Sequence, residues 1–390
     1  MSECPTTYLD HAATTPLRAE VAGAMAAVLA EPLGNPTGSH RPAQRARRFL
    51  EEARDAVAGH LGRDPREIIF TSGGTESANL AVFGTLAVAQ ERGRSLSILH
   101  SAVEHPAVLE SCRAAHRSME LDLAELPVNA HGVVELDALI EAVTPTTTLV
   151  AIMLANNETG VIQPIDEVAR IVRAASESTW VFADAVQATP FLNLAEQAVG
   201  ADLLALSAHK VGGPVGTGVL AVRPPAEVRA YQHGGGQERE RRSGTQDVVG
   251  AVGLAAALGL AEAERIDTGA RIGALRNQLA SRLLAAIPGA VRTVADSVPT
   301  LPGHLHLCLP GIEREELLVL LGRQGICASG GSSCASGALQ TSHVLTAMGV
   351  PDSLAQGAIR FTLGHETTSA DIDRAVAVMP GVVAALRHDP

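Results

Sequence analysis

From about residue 67 to residue 222 the chain alternates short apolar runs with helix-spaced stretches, and this alternation limits the folds open to it. Strand-like runs fall at 67–71, 95–100, 120–127, 147–154, 180–183, 201–207 and 216–222. Helical spacing covers 41–60, 75–90, 106–117, 135–142 and 165–175. The pattern predicts a mostly parallel sheet covered by helices, an α/β fold. In open sheets of this kind, ligands gather outside the carboxyl ends of the strands.

The character of the chain changes after about residue 246. Residues 247–286 read as one long Ala/Leu/Arg-rich helical stretch, expected to break near Asp267-Thr268-Gly269. Shorter elements follow: a strand at 304–309, a helix at 313–323, a strand at 326–329 and a helix at 341–348. A strand at 358–363 and a terminal helix at 370–386 close the chain. A length of 390 residues accommodates more than one core. We expect a large α/β domain at 15–255 and a smaller α+β domain formed by 1–14 and 256–390.

Charge and composition exclude several classes. Thirty Lys+Arg against 42 Asp+Glu give a net charge of −12, and aromatics are only 2%. Both argue against a nucleic-acid binder, which needs cationic surface and stacking platforms. The sequence contains no uninterrupted apolar run of about 18 residues, so no membrane span is expected. Met1 to Asp10 lacks a basic and an apolar segment, so secretion is not expected either. The five cysteines form no CxxC pair, which suits a reducing cytoplasm. The 14 histidines show no zinc spacing, so no metal site is expected.

The polar residues that fall just after the strands carry the chemistry. Ser72-Gly73-Gly74-Thr75-Glu76 is a glycine turn entering a helix, and reads as a phosphate cradle or as an ordinary helix start. Glu104-His105-Pro106 and Asn156-Asn157-Glu158-Thr159-Gly160 follow two further strands, as caps and turns or as site residues. Asp184-Ala185-Val186-Gln187 offers an acid that caps a helix or pairs with a cationic ring nitrogen. Ser207-Ala208-His209-Lys210 places a lysine among apolar and glycine residues, in a chain whose basic residues are mostly arginine. An apolar setting lowers a lysine pKa and suits a Schiff base, while a solvated loop lysine is the plain alternative.

Cys334 lies in Ser329-Gly330-Gly331-Ser332-Ser333-Cys334-Ala335-Ser336-Gly337. A thiol among small residues suits an accessible nucleophile, or an incidental loop cysteine. Cys112, Cys308 and Cys327 fall on regular elements and are expected to pack. Taken together, a phosphate cradle, an acid, a lysine, an arginine at Ile359-Arg360-Phe361 and a loop cysteine fit pyridoxal phosphate chemistry.

The ordered blocks resemble the cysteine desulfurases of the NifS/IscS type, in the class V branch of the aminotransferases. They begin with Tyr8-Leu9-Asp10-His11-Ala12-Ala13-Thr14-Thr15-Pro16 and Gly34-Asn35-Pro36, and include the strand-end motifs above. Gly234-Gly235-Gly236-Gln237-Glu238, Arg242-Ser243-Gly244-Thr245 and Ile359-Arg360-Phe361 complete them. The resemblance implies a fold-type I transferase bound to pyridoxal 5'-phosphate. It implies that Lys210 anchors the cofactor, Asp184 pairs with its ring nitrogen, Gln187 bonds its ring oxygen and His105 stacks on the ring. Gly74, Thr75, Ser207 and His209 would hold the phosphate, with Asn157 and Ala208 among the cofactor contacts. Thr245 would reach the site of a partner subunit, which implies a homodimer.

In the implied reaction Asn157 and Arg360 hold the carboxylate of L-cysteine, and Lys210 or His105 removes its Cα proton. Cys334 takes the sulfur as a persulfide and passes it to an acceptor, an iron–sulfur scaffold or a tRNA-thiolation protein. No resident metal is implied, although Cys334 would briefly meet a cluster metal if a scaffold is the acceptor. The loop departs from the usual Ser-Gly-Ser-Ala-Cys, and Gln340-Thr341-Ser342 lacks the usual proline. Both changes bear on loop geometry and acceptor choice. The alternatives are a selenocysteine lyase or another C–S lyase on the same fold, and a non-catalytic scaffold.

Overall fold

The computed structural model describes residues 6–331 and 341–388. In chain order it contains β1 (Thr7–Tyr8), α1 (Ala19–Leu29), α2 (Arg41–Leu61), β2 (Ile68–Thr71), α3 (Gly74–Glu91), β3 (Leu96–Ser101), α4 (Pro106–Ser118) and β4 (Leu121–Leu126). There follow α5 (Leu136–Ala142), β5 (Leu149–Ala151), α6 (Ile165–Ala175), β6 (Trp180–Asp184), α7 (Leu194–Gln197), β7 (Leu203–Ser207) and β8 (Gly218–Val222). The remainder is α8 (Val248–Ala286), β9 (Val291–Arg292), β10 (His304–Cys308), α9 (Arg314–Arg323), β11 (Ile326–Cys327), α10 (His343–Ala347), α11 (Asp352–Ala355), β12 (Ala358–Thr362) and α12 (Ser369–His388).

Seven strands form the main sheet in the order β2-β8-β7-β6-β5-β3-β4. Only β8 runs against its neighbours, so the carboxyl ends of the other six share one edge. Consecutive residues of a strand face opposite sides, and here both sides are apolar. On β6 and β7, Val181 and Leu204 join a core with α2, α6 and the first part of α8, through Leu50, Val168 and Leu254. Phe182 and Leu203 face the other way, into a core with α3 and α4 through Leu86 and Val108. Two-sided burial explains why these strands read as apolar runs rather than as alternating patterns.

A second, three-stranded sheet has the order β12-β10-β9 and is antiparallel throughout. Its core groups Leu9 with Ile272, Leu283, Leu307, Ile359 and Phe361. A short parallel pair, β1 with β11, brings the N-terminal segment to this part of the molecule.

Three expectations need correction. The helix α8 runs unbroken for 39 residues, through Asp267-Thr268-Gly269. One interior glycine costs a helix only about 1 kcal/mol, and α8 packs on α1 and α2 at one end and on α12 and β10 further along. The strand expected at 147–154 narrows to β5, although Ile152 and Leu154 still donate to the carbonyls of Phe182 and Asp184. Residues 19–29, not anticipated as helical, form α1.

Candidate active site

Five strand ends converge on one cavity of about 490 Å³. It is lined by Gly74, Thr75, His105, Asn157, Asp184, Gln187, Ser207, His209, Lys210 and Arg360, as well as Asp10, Met153, Ser329 and Gly331. Ten predicted site residues therefore meet. Ala208 is buried but does not line this cavity, and Thr245 is exposed away from it. Cys334 lies outside the described residues.

One pole is built from turns that leave the main sheet. Beyond β2, Gly73 has φ +146°, a conformation that side chains rarely adopt, and caps α3 with no side-chain bond. The first amides of an 18-residue helix are thus presented to the cavity. A Cβ on Gly74 would come within 2.8 Å of Val186 Cγ2, so glycine keeps this cradle open. Ser207 ends β7, and His209 and Lys210 sit in the 3-10 turn after it.

Lys210 is the only lysine in the chain. Its Nζ donates to the carbonyl oxygens of Ala12 at 2.5 Å and Ala13 at 2.8 Å. Burial, helped by the charge of Arg360, lowers its pKa to about 8, against the pull of Asp184 and Asp10. Asp184, at the end of β6, accepts from the amide of Val186 at 2.9 Å. Burial raises its pKa, opposed by His105 and Lys210. A cationic ring N–H brought to this carboxylate would relieve its burial cost. Gln187 Nε2 donates to Ala12 O at 2.7 Å, which leaves its second amide hydrogen for a ligand.

His105 caps α4 and accepts the Ala107 amide on Nδ1 at 3.1 Å. Burial lowers its pKa, and its neutral form follows from that. Beside it, Glu104 is fully buried, accepting from Ser101 Oγ and the Met153 amide through Oε1. Burial pushes its carboxyl up to about 8. The donor set and the two carboxyls fit a phosphorylated pyridine aldehyde: amides for the phosphate, an acid for the ring nitrogen and one amine for the aldehyde.

The other pole joins distant segments. Arg360, in the middle of β12, donates through Nη1 to Asn157 O at 2.9 Å and through Nη2 to Asp10 Oδ1 at 2.6 Å. Its Nε is buried without a partner among the described residues. Glu158 lies beside it, accepting from Ser342 Oγ at 2.6 Å, with its pKa raised by burial. Asp10 is the residue that sequence reasoning left without a role. It stands in the Tyr8-Leu9-Asp10 block, yet only its pairing with Arg360 marks it.

The segment before Thr245 is tied to the main sheet. Glu238, Arg239 and Glu240 all have positive φ, between 48° and 64°. Such conformations cost non-glycine residues about 1–2 kcal/mol each. The buried pair of Glu238 with Arg54, at 2.8 Å, and its bond from the Phe70 amide hold the segment there. Arg242 pairs with Glu76 in the first turn of α3 at 2.7 Å.

Residues 7–375 match the class-V aminotransferase family, and the chain belongs to it. The cysteine desulfurase IscS of Methanosarcina thermophila is 40% identical, over 98% of this chain and 93% of its own. The IscS-like cysteine desulfurase of Mycobacterium tuberculosis is 42% identical, over 98% and 97%. A solved NifS-like protein, 35% identical, superposes with a TM-score of 0.90 over 98% of this chain and 100% of that one. Within the family the chain stands with the IscS/NifS cysteine desulfurases, whose cofactor is pyridoxal 5'-phosphate. Among the described residues no helix is long and apolar enough to cross a membrane.

Proposed function

We propose that this cavity takes sulfur from L-cysteine, leaves L-alanine, and delivers the sulfur to Cys334. The protein is a cysteine desulfurase by its relatives. One observation carries the reading to residues: the chain's only lysine lies in the cavity that also holds Asp184 and Arg360.

When bound, the cofactor supplies an electron sink for the substrate carbon that bears the amino group. Gly74 and Thr75 amides, Ser207 and His209 would hold its phosphate, with Asn157 completing the contacts, while Ala208 stands behind this lining. Asp184 would keep its ring nitrogen protonated, Gln187 would donate to its ring oxygen and His105 would cover the ring. Lys210 anchors it. In this structure burial lowers the pKa of the Lys210 amine to about 8, which suits a base for the Cα proton. Neutral His105 is placed to carry a proton. Arg360 and Asn157 hold the substrate carboxylate.

Cys334 thiolate then attacks the substrate sulfur. An S–S bond forms, the C–S bond breaks, and its electron pair passes to carbon, which takes a proton to become the methyl group of alanine. L-cysteine and a thiolate give alanine and a persulfide anion, so the atoms balance. The persulfide is passed to an iron–sulfur scaffold or a tRNA-thiolation protein in the cytoplasm. Thr245 serves the neighbouring site in a homodimer. The division into 15–255, and 1–14 with 256–390, is supported by the core that joins Leu9 to residues 272–383.

The test measures sulfide and alanine from L-cysteine, with pyridoxal phosphate and dithiothreitol, for wild type and Cys334→Ala. Equal amounts from wild type and background from the variant are expected. Activity that survives the variant would move the protein to the thiol-independent C–S lyases.

A further inference from the structure

The arginine assigned to the substrate carboxylate already holds a carboxylate of this chain. Asp10 Oδ1 lies 2.6 Å from Arg360 Nη2, and Asp10 lines the same cavity. Its backbone has little freedom to leave. Asp10 forms a parallel bridge with Thr362, two residues beyond Arg360 on β12. The amide of His11 donates to Thr362 O, and that of Ala12 to Thr362 Oγ1 at 2.8 Å. The Tyr8 hydroxyl and the Ala13 amide both donate to Asp10 O. The acid is therefore a counterion fastened to the strand that carries the arginine.

The rest of the Arg360 fork is partly spent. Nη1 serves two carbonyls, those of Asn157 and Gly331. Of the five guanidinium hydrogens, the one on Nε and the second on Nη2 have no partner among the described residues. An arriving carboxylate that takes these two shares Nη2 with Asp10, and it meets a like charge at close range. Without Asp10, the buried guanidinium would lose the one carboxylate it bonds among the described residues, which is costly. The same acid thus orients Arg360 in the empty site and competes with the ligand.

We propose that Asp10 is a specificity-determining residue that sets carboxylate affinity by competing for Arg360. The inference rests on the proposed role of Arg360 in binding L-cysteine. Asp10→Asn keeps the shape and the acceptor oxygen but removes the charge. In the holoenzyme it should lower KM for L-cysteine about threefold to tenfold, the net worth of one ordinary hydrogen bond, because the neutral amide still accepts from Arg360, with a smaller change in kcat. Propionate, which has a carboxylate and no amine, should become a tighter competitive inhibitor by the same factor. Asp10→Ala loses the orienting bond as well and should give a smaller gain or a loss. If Asp10→Asn does not fold, Asp10→Ser removes the same charge. A KM and propionate constant that stay at wild-type values, or rise, in a folded neutral variant would overturn the proposal. Failure of the wild type to release sulfide and alanine would instead remove the reading on which it rests.

Discussion

The two poles of the cavity are built in different ways. At the cofactor pole, Gly74, Thr75, Asp184, Ser207, His209 and Lys210 each end a strand of one sheet or follow it within a few residues. Their positions are fixed by a sheet buried on both faces, and each is set almost independently. At the substrate pole, Asp10, Asn157 and Arg360 come from segments up to 350 positions apart, and are fixed by each other. A change at the first pole should remain local. A change at the second should propagate, because each member is a partner of another.

The largest expected effect is at Lys210. Lys210→Ala removes the only lysine, and activity should fall by about 10²–10⁴, the range for loss of a positioned proton-transfer group, or further. Mass spectrometry after borohydride reduction of the loaded protein should show one cofactor attached in wild type and none in the variant. Next, Asp184→Asn and Arg360→Gln should separate the poles. Asp184→Asn should weaken cofactor retention, followed by absorbance on dialysis, with KM for L-cysteine little changed. Arg360→Gln should raise KM by about tenfold to a hundredfold, as loss of a charged hydrogen bond implies, with the cofactor retained. Coupled losses in both variants would break the distinction.

The poles also predict different limbs of stability against pH. His304 and His306 lie on β10 beside β12, and burial and the charge of Arg360 depress both to about 3. In the unfolded chain each titrates near 6.5. The unfolded state therefore takes up protons first, and stability should decline as pH falls from about 6.5 toward 3. Thermal midpoints across this window should fall less steeply for His304→Leu. Glu104, beside His105, has the opposite sense. Its carboxyl is raised to about 8, so its contribution is full below about 4.5 and is lost as pH rises toward 8. Glu104→Gln should flatten that limb.

The same contrast explains what was legible in the sequence. Strand ends followed by Gly74, His105, Asp184 or Lys210 are local patterns, so strand-to-helix periodicity brought them to one edge. The substrate-carboxylate roles of Asn157 and Arg360 came only through family resemblance, since no local pattern joins β12 to the turn after β5. Asp10 acquired none, because a salt bridge across 350 positions leaves no trace in spacing. The break expected at Gly269 failed for a related reason: the packing that carries α8 through it comes from α12 and β10, which are remote in sequence.

The solitary lysine has a consequence beyond catalysis. A lysine-specific endoprotease has one cleavable bond in this protein, Lys210–Val211, and Val211 is buried. The native chain presents no other target, and an unfolded chain is cut into two pieces at its active centre. In the protein free of cofactor, where the Lys210 amine is unmodified, cleavage therefore reports openings that expose this turn, and the two fragments, 1–210 and 211–390, show them on a gel without any label.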